Sequence, residues 1–337
     1  MARVIESLVG HEAEIKKIFH LKKTGEKTGE KTGRWPHAML FVGPSGIGKK
    51  KLAFAMAQAL LCVQSTAACG ACGACLRIEK NQSESLTLIE PDAELARPVI
   101  KVEKIRTLLE SLSLASMGPA RVVIIDQAQL MNAQAANALL KTLEEPTENI
   151  YFILIANDVH QFLPTIRSRT QVVRFTALTY EQIKKIKPNL PDWAYRSSRG
   201  QLDRLELLTS AEGINKREEA LSFFEQFCND KNFLTNKIWK DSIKDRAWAL
   251  FSINCWLQMA RDAAILTNCS KNSLKNLAQK SILNSDQMDR LRPLCELSVN
   301  KLLGLGHRLI LAEKDINANA DPVLIFENLR IQYARMD

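Results

Sequence analysis

Apolar residues follow two different patterns along the chain, and the change between them falls near residue 175. Before that point, short runs rich in apolar residues alternate with segments in which apolar residues recur every three or four positions. Such runs are typical of strands buried in a parallel sheet, and the longer spacing is typical of helices that cover it. The first half of the chain therefore predicts an α/β fold with five strands, at Ala38–Val42, Leu86–Glu90, Arg121–Asp126, Ile150–Ala156 and Thr170–Phe175.

The second half of the chain predicts helices only. Between residues 176 and 210, short helical segments are interrupted by two prolines and a glycine, which suits a small helical lid. From residue 211 to residue 337, longer apolar stripes predict an all-α bundle. A length of 337 residues with 46% hydrophobic content is enough for several cores. We expect three domains, at 1–175, 176–210 and 211–337.

The turn after the first predicted strand carries a glycine-rich sequence. Gly43, Gly46, Gly48 and Lys49 fit the spacing G-x-x-x-x-G-K between a strand and a helix. Backbone N–H groups of such a loop, the helix N-terminus and the lysine would all bind phosphate. However, Lys50 stands where the motif requires a hydroxyl that binds Mg²⁺, and an ammonium group repels a cation. The sequence thus predicts a P-loop with a vestigial or weak ATP site and no Mg²⁺.

Two other predicted strands also end in polar residues. Asp126 ends the third strand, where a P-loop ATPase carries its Walker B acid, and Asn157 follows the fourth strand, where a polar side chain can sense a γ-phosphate. Polar residues at strand ends are also ordinary, so this role of Asn157 stays open. The residue after the Walker B acid is normally a glutamate, but here it is Gln127, which can orient water and cannot accept its proton. The sequence therefore lacks a second part of a hydrolytic site.

Four of the eight cysteines lie within the segment 62–75. Cys62, Cys69, Cys72 and Cys75 supply enough thiolates for one tetrahedral Zn²⁺. The group contains no histidine and offers no open position, which favours a structural zinc over a catalytic one. A redox pair is the alternative. The other four cysteines are scattered through the second half and are expected to be small buried hydrophobes.

These features together resemble one family, the delta-prime subunits of the bacterial DNA polymerase III clamp loader, within the AAA+ superfamily. The resemblance covers most of the chain. It depends on the glycine loop, the four-cysteine insertion after the helix that follows it, and the segments Asp126–Gln129, Asn137–Pro146, Ser168–Arg169 and Asn317–Asn319, with Leu324 and Glu327. The implied architecture is an AAA+ domain with a zinc-binding insertion, a helical lid and a C-terminal collar domain used for oligomerisation.

The resemblance also implies a function in DNA replication. It implies a heteropentamer with gamma or tau and delta subunits, which opens the ring-shaped sliding clamp and places it on primed DNA. Family members offer an arginine finger, from a Ser-Arg-Cys motif, to ATP bound by a neighbouring gamma or tau subunit. Here the motif reads Ser168-Arg169-Thr170. Arg169 is expected to be the finger rather than Arg167, because Ser168 directly precedes it, and its planar cation suits a transferred phosphoryl group.

The same resemblance argues against hydrolysis by this chain. Active clamp-loader subunits carry a sensor arginine three residues after a glycine in the lid, but Gly200 is followed at that spacing by Asp203, and Arg204 is displaced by one. We therefore predict a subunit of the polymerase holoenzyme with no activity of its own. Two alternatives are a gamma- or tau-like subunit that binds and hydrolyses ATP, and a zinc-dependent DNA-binding module. Only Arg77 and Lys80 lie near the cysteines, which disfavours the latter.

Charge and hydropathy complete the prediction. The formal net charge of +9 favours contact with nucleic acid or acidic partners. The sequence contains neither an apolar run of membrane-spanning length nor a recognisable leader at its start, so a cytoplasmic location and no membrane partner are expected. The segment Lys23–Gly33 repeats a four-residue unit with glycine in each copy, which predicts a surface loop.

Overall fold

Five parallel strands form the sheet around which the first part of the chain packs. The computed structural model describes residues 5, 8–24, 35–65, 68–92, 98–113, 120–230, 233, 237–269 and 281–336. The strand order is β2-β3-β4-β1-β5, and every neighbouring pair is parallel. The strands are β1 (Ala38–Val42), β2 (Leu86–Ile89), β3 (Arg121–Ile125), β4 (Ile150–Ala156) and β5 (Gln171–Arg174).

The five-stranded parallel sheet is the one that the sequence predicts. The bounds of β1 and β4 are as predicted, and all their residues are buried because these strands lie inside the sheet. The other strands are one or two residues shorter than expected. At the start of β5, Thr170 stays outside the strand because its hydroxyl donates to the carbonyl of Ile166 in the preceding helix, 3.0 Å away.

Helices cover the sheet and connect its strands. Asn132 caps the helix before β4, since its side chain accepts a hydrogen bond from the Ala135 N–H at 2.7 Å. Ala135, Leu139 and Leu143 of that helix are buried against the sheet. The helices of this part are α1 (Glu12–Thr24), α2 (Lys49–Leu61), α3 (Gly73–Glu79), α4 (Val102–Ser113), α5 (Ala133–Glu144), α6 (Pro164–Ser168) and α7 (Tyr180–Ile186).

The remainder of the described chain is helical, as predicted. Its core is rich in aromatic side chains, among them Trp239 and Phe233, whose rings stack 4.7 Å apart, and Trp256, whose indole N–H donates to the carbonyl of Ala220 at 2.7 Å. The helices are α8 (Asp192–Ser197), α9 (Leu202–Thr209), α10 (Ala211–Asn229), α11 (Lys237–Lys244), α12 (Arg246–Cys269), α13 (Met288–Leu294), α14 (Val299–Asn317) and α15 (Pro322–Ala334).

The chain forms two compact units, residues 1–186 and 187–337. The predicted lid at 176–210 is divided between them, since α7 belongs to the first unit and α8 and α9 to the second. A buried arginine fixes α8 within the second unit: the Arg217 guanidinium lies 4.0 Å from the ring of Trp193 and forms an ion pair with Asp286 at 2.7 Å. The three-domain division, with its lid at 176–210, therefore stays a prediction.

Two other expectations concern the rest of the chain. Among the described residues, no helix is both long and apolar enough to span a membrane. Most of the repeat Lys23–Gly33, from residue 25 onward, lies outside the described residues.

Candidate functional site

The glycine loop joins β1 to α2 and has the backbone conformation of a phosphate-binding turn. Gly46 and Gly48 have φ angles of 63° and 96°, in the left-handed region that favours glycine. Gly43 is required for a different reason, because a Cβ atom there would lie 2.4 Å from the carbonyl oxygen of Phe175. The loop therefore keeps the shape that the sequence predicts for it, and α2 begins at Lys49, directly after Gly48.

The ammonium group of Lys49 is bonded to the loop itself. Its Nζ donates hydrogen bonds to the carbonyl oxygens of Gly43 at 2.6 Å and Pro44 at 2.5 Å, and the residue is only 6% exposed. In a nucleotide-binding P-loop this ammonium is directed at the β- and γ-phosphates. Here the loop's own carbonyls take the place of the phosphate oxygens. A bound nucleotide would have to displace both hydrogen bonds.

Lys50 forms ion pairs at the ends of two neighbouring strands. Its Nζ lies 2.6 Å from Oε1 of Glu90 and 3.4 Å from Oδ2 of Asp126. These acids follow Ile89 and Ile125, which are paired in the register of β2 and β3, so the strand ends bring them together. Partial burial lowers the pKa of the Lys50 ammonium, but the hydrogen bond to Glu90 and the charge of Asp126 outweigh burial and raise that pKa overall.

The remaining predicted nucleotide residues lie at the same edge of the sheet. Asp126 Oδ1 accepts a hydrogen bond from the backbone N–H of Gln127 at 2.9 Å, while its other oxygen faces Lys50. Gln127 is exposed and has a φ of 49°, so its backbone is left-handed. Asn157 follows β4 and is exposed. The parallel topology thus brings these residues to the edge where the glycine loop lies, because β1, β3 and β4 all end there.

His11 also contacts the glycine loop, and sequence reasoning missed it. Its Nε2 donates a hydrogen bond to the carbonyl of Ile47 at 2.9 Å, and its ring meets Phe175 edge-on at 5.2 Å. The residue is 8% exposed. His11 belongs to no motif or periodic pattern in the sequence. It lies 36 positions before Ile47, so the sequence contains no signal that links the two residues.

The four clustered cysteines meet in space and could hold a metal ion. All four Sγ atoms lie within 4.8 Å of one another. The distance between the sulfurs of Cys62 and Cys72 is 3.9 Å, and that between Cys69 and Cys75 is 4.0 Å. A tetrahedron of thiolates at the usual Zn–S bond length of about 2.3 Å has edges of about 3.8 Å. The spacing of the sulfurs therefore fits a single tetrahedral metal ion.

The surroundings of the sulfurs shift the pKa values of two of these cysteines in opposite directions. The pKa of Cys69 is lowered to about 6, chiefly because the backbone N–H groups of Ala71 and Cys72 donate to its sulfur. Burial raises the pKa of Cys75 to about 12. The cluster is attached to the helix that follows the glycine loop, since Nε2 of Gln58 in α2 donates to the carbonyl of Cys75 at 3.0 Å. A metal there would link α3 to α2.

Arg169 lies on the same unit, just after α6. Its Nη2 forms an ion pair with Oε1 of Glu144 at 2.7 Å, and its Nη1 donates to the carbonyl of Thr165 at 3.0 Å and to the hydroxyl of Ser168 at 3.2 Å. The Ser168 hydroxyl in turn donates to the carbonyl of Thr165. The Arg169 side chain remains 33% exposed. Ser168 therefore helps to orient the guanidinium that was predicted as a finger.

The neighbours of Arg169 in sequence have different environments. Thr170, which replaces the cysteine of the family motif, is buried, and its hydroxyl bonds to the backbone of α6. Arg167 is exposed, and its side chain has no hydrogen bond or ion pair within the described part of the chain. Arg169 is thus the arginine whose orientation is fixed by its surroundings.

Comparison with known proteins shows what the chain is similar to. The sequence profile described as "DNA polymerase III, delta subunit" matches residues 24–179. The DNA polymerase III subunit delta' of Pseudomonas aeruginosa is 41% identical over 136 residues, which cover 40% of this chain and 41% of that protein. The subunit delta' of Bacillus subtilis is 25% identical over 307 residues, 88% of this chain and 90% of that protein. The chain is thus similar to DNA polymerase III delta-prime subunits, and to that of B. subtilis along most of its length.

The chain is also similar to the subunits that were considered as the alternative. The tau subunit of Escherichia coli K12 is 39% identical over 155 residues, 45% of this chain and 23% of that protein. The matches to the P. aeruginosa and E. coli proteins therefore span less than half of either relative. The B. subtilis delta' match, in contrast, extends through the helical unit.

The position at which the resemblance implies a sensor arginine lies at the start of α9. Asp203 lies in the first turn of α9 and is exposed. Arg204 is half-buried, and its pKa is lowered first by burial and then by the charge of Arg199. It lines a cavity of about 320 Å³ with Asn254 and Cys255 of α12. Its side chain is therefore enclosed by residues of the helical unit.

Proposed function

We propose that this chain is a clamp-loader subunit that does not hydrolyse ATP and supplies Arg169 to ATP bound by a neighbouring gamma or tau subunit. The observation that carries the proposal is the ion pair between Lys50 and Asp126. In a hydrolysing P-loop site, that acid and a hydroxyl at position 50 would serve Mg²⁺. Here a lysine replaces the hydroxyl, and its ammonium neutralises the acid.

One further residue supports loss of hydrolysis, because Gln127 cannot take a proton from water. The proposed nucleotide site is vestigial or weak rather than absent, because the glycine spacing and the left-handed backbone of Gly46 and Gly48 suit a phosphate-binding loop. The loop still places α2, to which the cysteine cluster is attached.

The proposed catalytic contribution is made in trans. A guanidinium group presents planar N–H donors that match phosphate oxygens, and an arginine finger typically accelerates phosphoryl transfer by about 10³-fold or more. Arg169 keeps part of its surface exposed while Ser168 and Glu144 orient it. This combination suits a residue that must meet a neighbour's nucleotide.

The proposed partners follow from the family. They are gamma or tau and delta subunits in a heteropentamer that places the sliding clamp on primed DNA in the cytoplasm. The helical unit, residues 187–337, is proposed to form the collar through which the subunits assemble. The positive net charge of the chain is compatible with contact to DNA phosphates.

Reconstitution tests the proposed function. The purified chain should show no ATP turnover by itself, and it should co-purify with gamma or tau and delta subunits. In the assembled complex, Arg169→Ala should lower clamp- and DNA-stimulated ATP turnover by about 10³-fold. Arg167→Ala is the matched control, because this neighbouring arginine is exposed and should leave turnover unchanged. Unchanged turnover with Arg169→Ala in an intact complex would refute the finger.

The alternative of a gamma- or tau-like ATPase has one observation in its favour, the 39% identity to tau over 155 residues. It predicts steady turnover by the isolated chain that disappears in Lys49→Ala. Our proposal predicts no turnover in either protein. ATP turnover by the isolated chain therefore distinguishes a gamma- or tau-like ATPase from a subunit that does not hydrolyse ATP.

We also propose that the cysteine cluster holds a structural zinc ion. Metal analysis should find about one zinc per chain, because four thiolates fill one tetrahedral coordination shell. Replacing Cys69 and Cys72 by serine should abolish zinc binding and lower the melting temperature, whereas Cys295→Ser, outside the cluster, should retain the metal. A folded, equally stable chain without zinc would contradict this proposal.

A further inference from the structure

Glu144, the last residue of α5, is the acidic partner of Arg169. Its Oε1 lies 2.7 Å from Nη2 of the arginine, and the two side chains are 48% and 33% exposed. An ion pair exposed to this extent contributes little to folding stability. Its effect on the direction of the guanidinium is larger, because the pair restricts a long side chain that would otherwise sample many rotamers.

The geometry divides the five N–H groups of the guanidinium into two sets. Nη1 donates to the carbonyl of Thr165 and the hydroxyl of Ser168, and one hydrogen of Nη2 is directed to Glu144. Within the described chain, the Nε hydrogen and the second Nη2 hydrogen have no acceptor. The three bonds therefore fix the plane of the group and leave two donors for an external anion.

These residues line an open cavity that has room for such an anion. The cavity has a volume of about 880 Å³, and His37, Leu143, Glu144, Ser168 and Arg169 are among its lining residues. His37 directly precedes β1, and its Nε2 donates to the carbonyl of Leu143 at 3.2 Å, so the end of α5 is held beside β1. In turn, β1 pairs with β5, which begins two residues after Arg169. The helix end that carries Glu144 is thus held close to the segment that carries Arg169.

We propose that Glu144 is a positioning residue for Arg169, which holds the guanidinium ready for the γ-phosphate of a neighbouring subunit's ATP. This inference rests on the proposed function, because it requires Arg169 to act in trans. A positioned catalytic group loses much of its effect when its orientation is released. Glu144 itself does not touch the nucleotide and acts through Arg169.

The chain offers a conservative variant and a matched control. Glu144→Ala removes the acceptor, while Glu144→Gln keeps an oxygen that can accept from Nη2. Glu145, the next residue, is an exposed acid that lines the same cavity, and its side chain has no hydrogen bond or ion pair within the described chain. Glu145→Ala therefore removes a similar charge without removing the contact.

The test is ATP turnover by the reconstituted complex, with kcat and KM measured separately. Glu144→Ala should lower kcat about tenfold with KM for ATP changed by less than about twofold, because the contact is used in the transition state. Glu144→Gln should recover most of the activity, and Glu145→Ala should match the wild type. Melting temperature and subunit assembly should be unchanged in all three.

A double variant distinguishes positioning from a structural effect. If Glu144 acts through Arg169, Glu144→Ala should lower kcat no further in a chain that already carries Arg169→Ala. An additive loss, or a wild-type kcat in Glu144→Ala, would overturn the inference. If Arg169→Ala itself has no effect, the proposed function fails instead. Failure of the inference is thus seen in Glu144→Ala and the double variant, whereas failure of the proposed function is seen in Arg169→Ala.

Discussion

The glycine loop and the Arg169 site lie in the same unit, and both present a positive charge suited to phosphate, but they use that charge differently. At the loop, Lys49 is bonded to backbone carbonyls and Lys50 to two carboxylates. At the other site, two hydrogen bonds and one ion pair orient Arg169 and leave two of its donors for an external anion. The comparison contrasts two cations that are paired within the chain with one that keeps donors for an external anion.

The difference has a simple chemical basis. A lysine ammonium is a compact charge that a few oxygens saturate, whereas a guanidinium has five donors in a fixed plane and can bind protein and phosphate together. Of the two loop cations, Lys49 is also more enclosed than Arg169, since Lys49 is 6% exposed while the Arg169 side chain is 33% exposed. Each site thus has a cation matched to its proposed role.

The largest expected effect comes from exchanging the cation at each site. Arg169→Lys should lower ATP turnover of the assembled complex almost as much as Arg169→Ala, by about 10³-fold, because an ammonium cannot reproduce the planar donor pattern. Lys49→Ala should leave turnover within about twofold, because the proposed reaction takes place in another subunit. The measurement is steady-state ATP hydrolysis by complexes of equal composition.

This pair of variants also shows how the comparison could fail. If Lys49→Ala lowers turnover as strongly as Arg169→Lys, the glycine loop contributes to hydrolysis and the contrast between the sites is wrong. Equal amounts of each variant in the assembled complex, measured by gel filtration, exclude an assembly defect.

A smaller effect is expected on stability when the loop glycines are replaced. Gly43→Ala should destabilise the chain by about 2–3 kcal/mol, because its Cβ would lie 2.4 Å from a backbone oxygen that cannot move freely. Gly48→Ala should cost about 1 kcal/mol, because its φ of 96° is unfavourable for alanine but its Cβ would meet only Leu8 Cδ2, at 3.9 Å.

Denaturant unfolding without nucleotide measures both changes. Because no ligand is present, a large loss for Gly43→Ala would mean that the chain keeps this glycine for packing. If Gly43→Ala left the free energy of unfolding unchanged, Gly43 would instead be retained for contact with a nucleotide. The glycine loop, like Arg169, would then be available to an external phosphate, contrary to our proposal.

Much of the first unit could be predicted from the sequence. Buried parallel strands are marked by their apolar runs, and the glycine spacing identifies the turn after β1, because both signals are local. The four cysteines were predicted to share one site for the same reason, since they lie within fourteen residues. These features could be predicted without knowing which distant segments of the chain come into contact.

The contacts that distinguish the two sites could not be predicted, because they join distant positions. Lys50 is 40 residues from Glu90, and the pair forms only because β2 and β3 end side by side near the start of α2. Glu144 and Arg169 meet through the ends of two helices. The contact between Arg217 and Trp193 could not be predicted either, because no local signal links these residues of two different helices.

The smallest expected effect concerns the pH dependence of the Lys50 ion pairs. The hydrogen bond to Glu90 and the charge of Asp126 raise the pKa of Lys50 above its ordinary value of about 10.4 in spite of partial burial. A raised pKa in the folded state means that the stabilisation is fully present below about pH 10 and is lost as the pH rises through the folded-state pKa. Since Lys50 is 41% exposed, solvent screening should keep the contribution below about 1 kcal/mol.

Comparison with Lys50→Met isolates this contribution from the other lysines. The difference in free energy of unfolding between wild type and Lys50→Met should be constant from about pH 7 to pH 10 and should shrink at higher pH, because only the wild type then loses a charge at this position. A difference that grows with pH would mean that the ammonium is destabilised in the folded chain. The carboxylates of Glu90 and Asp126 would then not act as its partners, and the loop would hold a cation available to an external phosphate, as at Arg169.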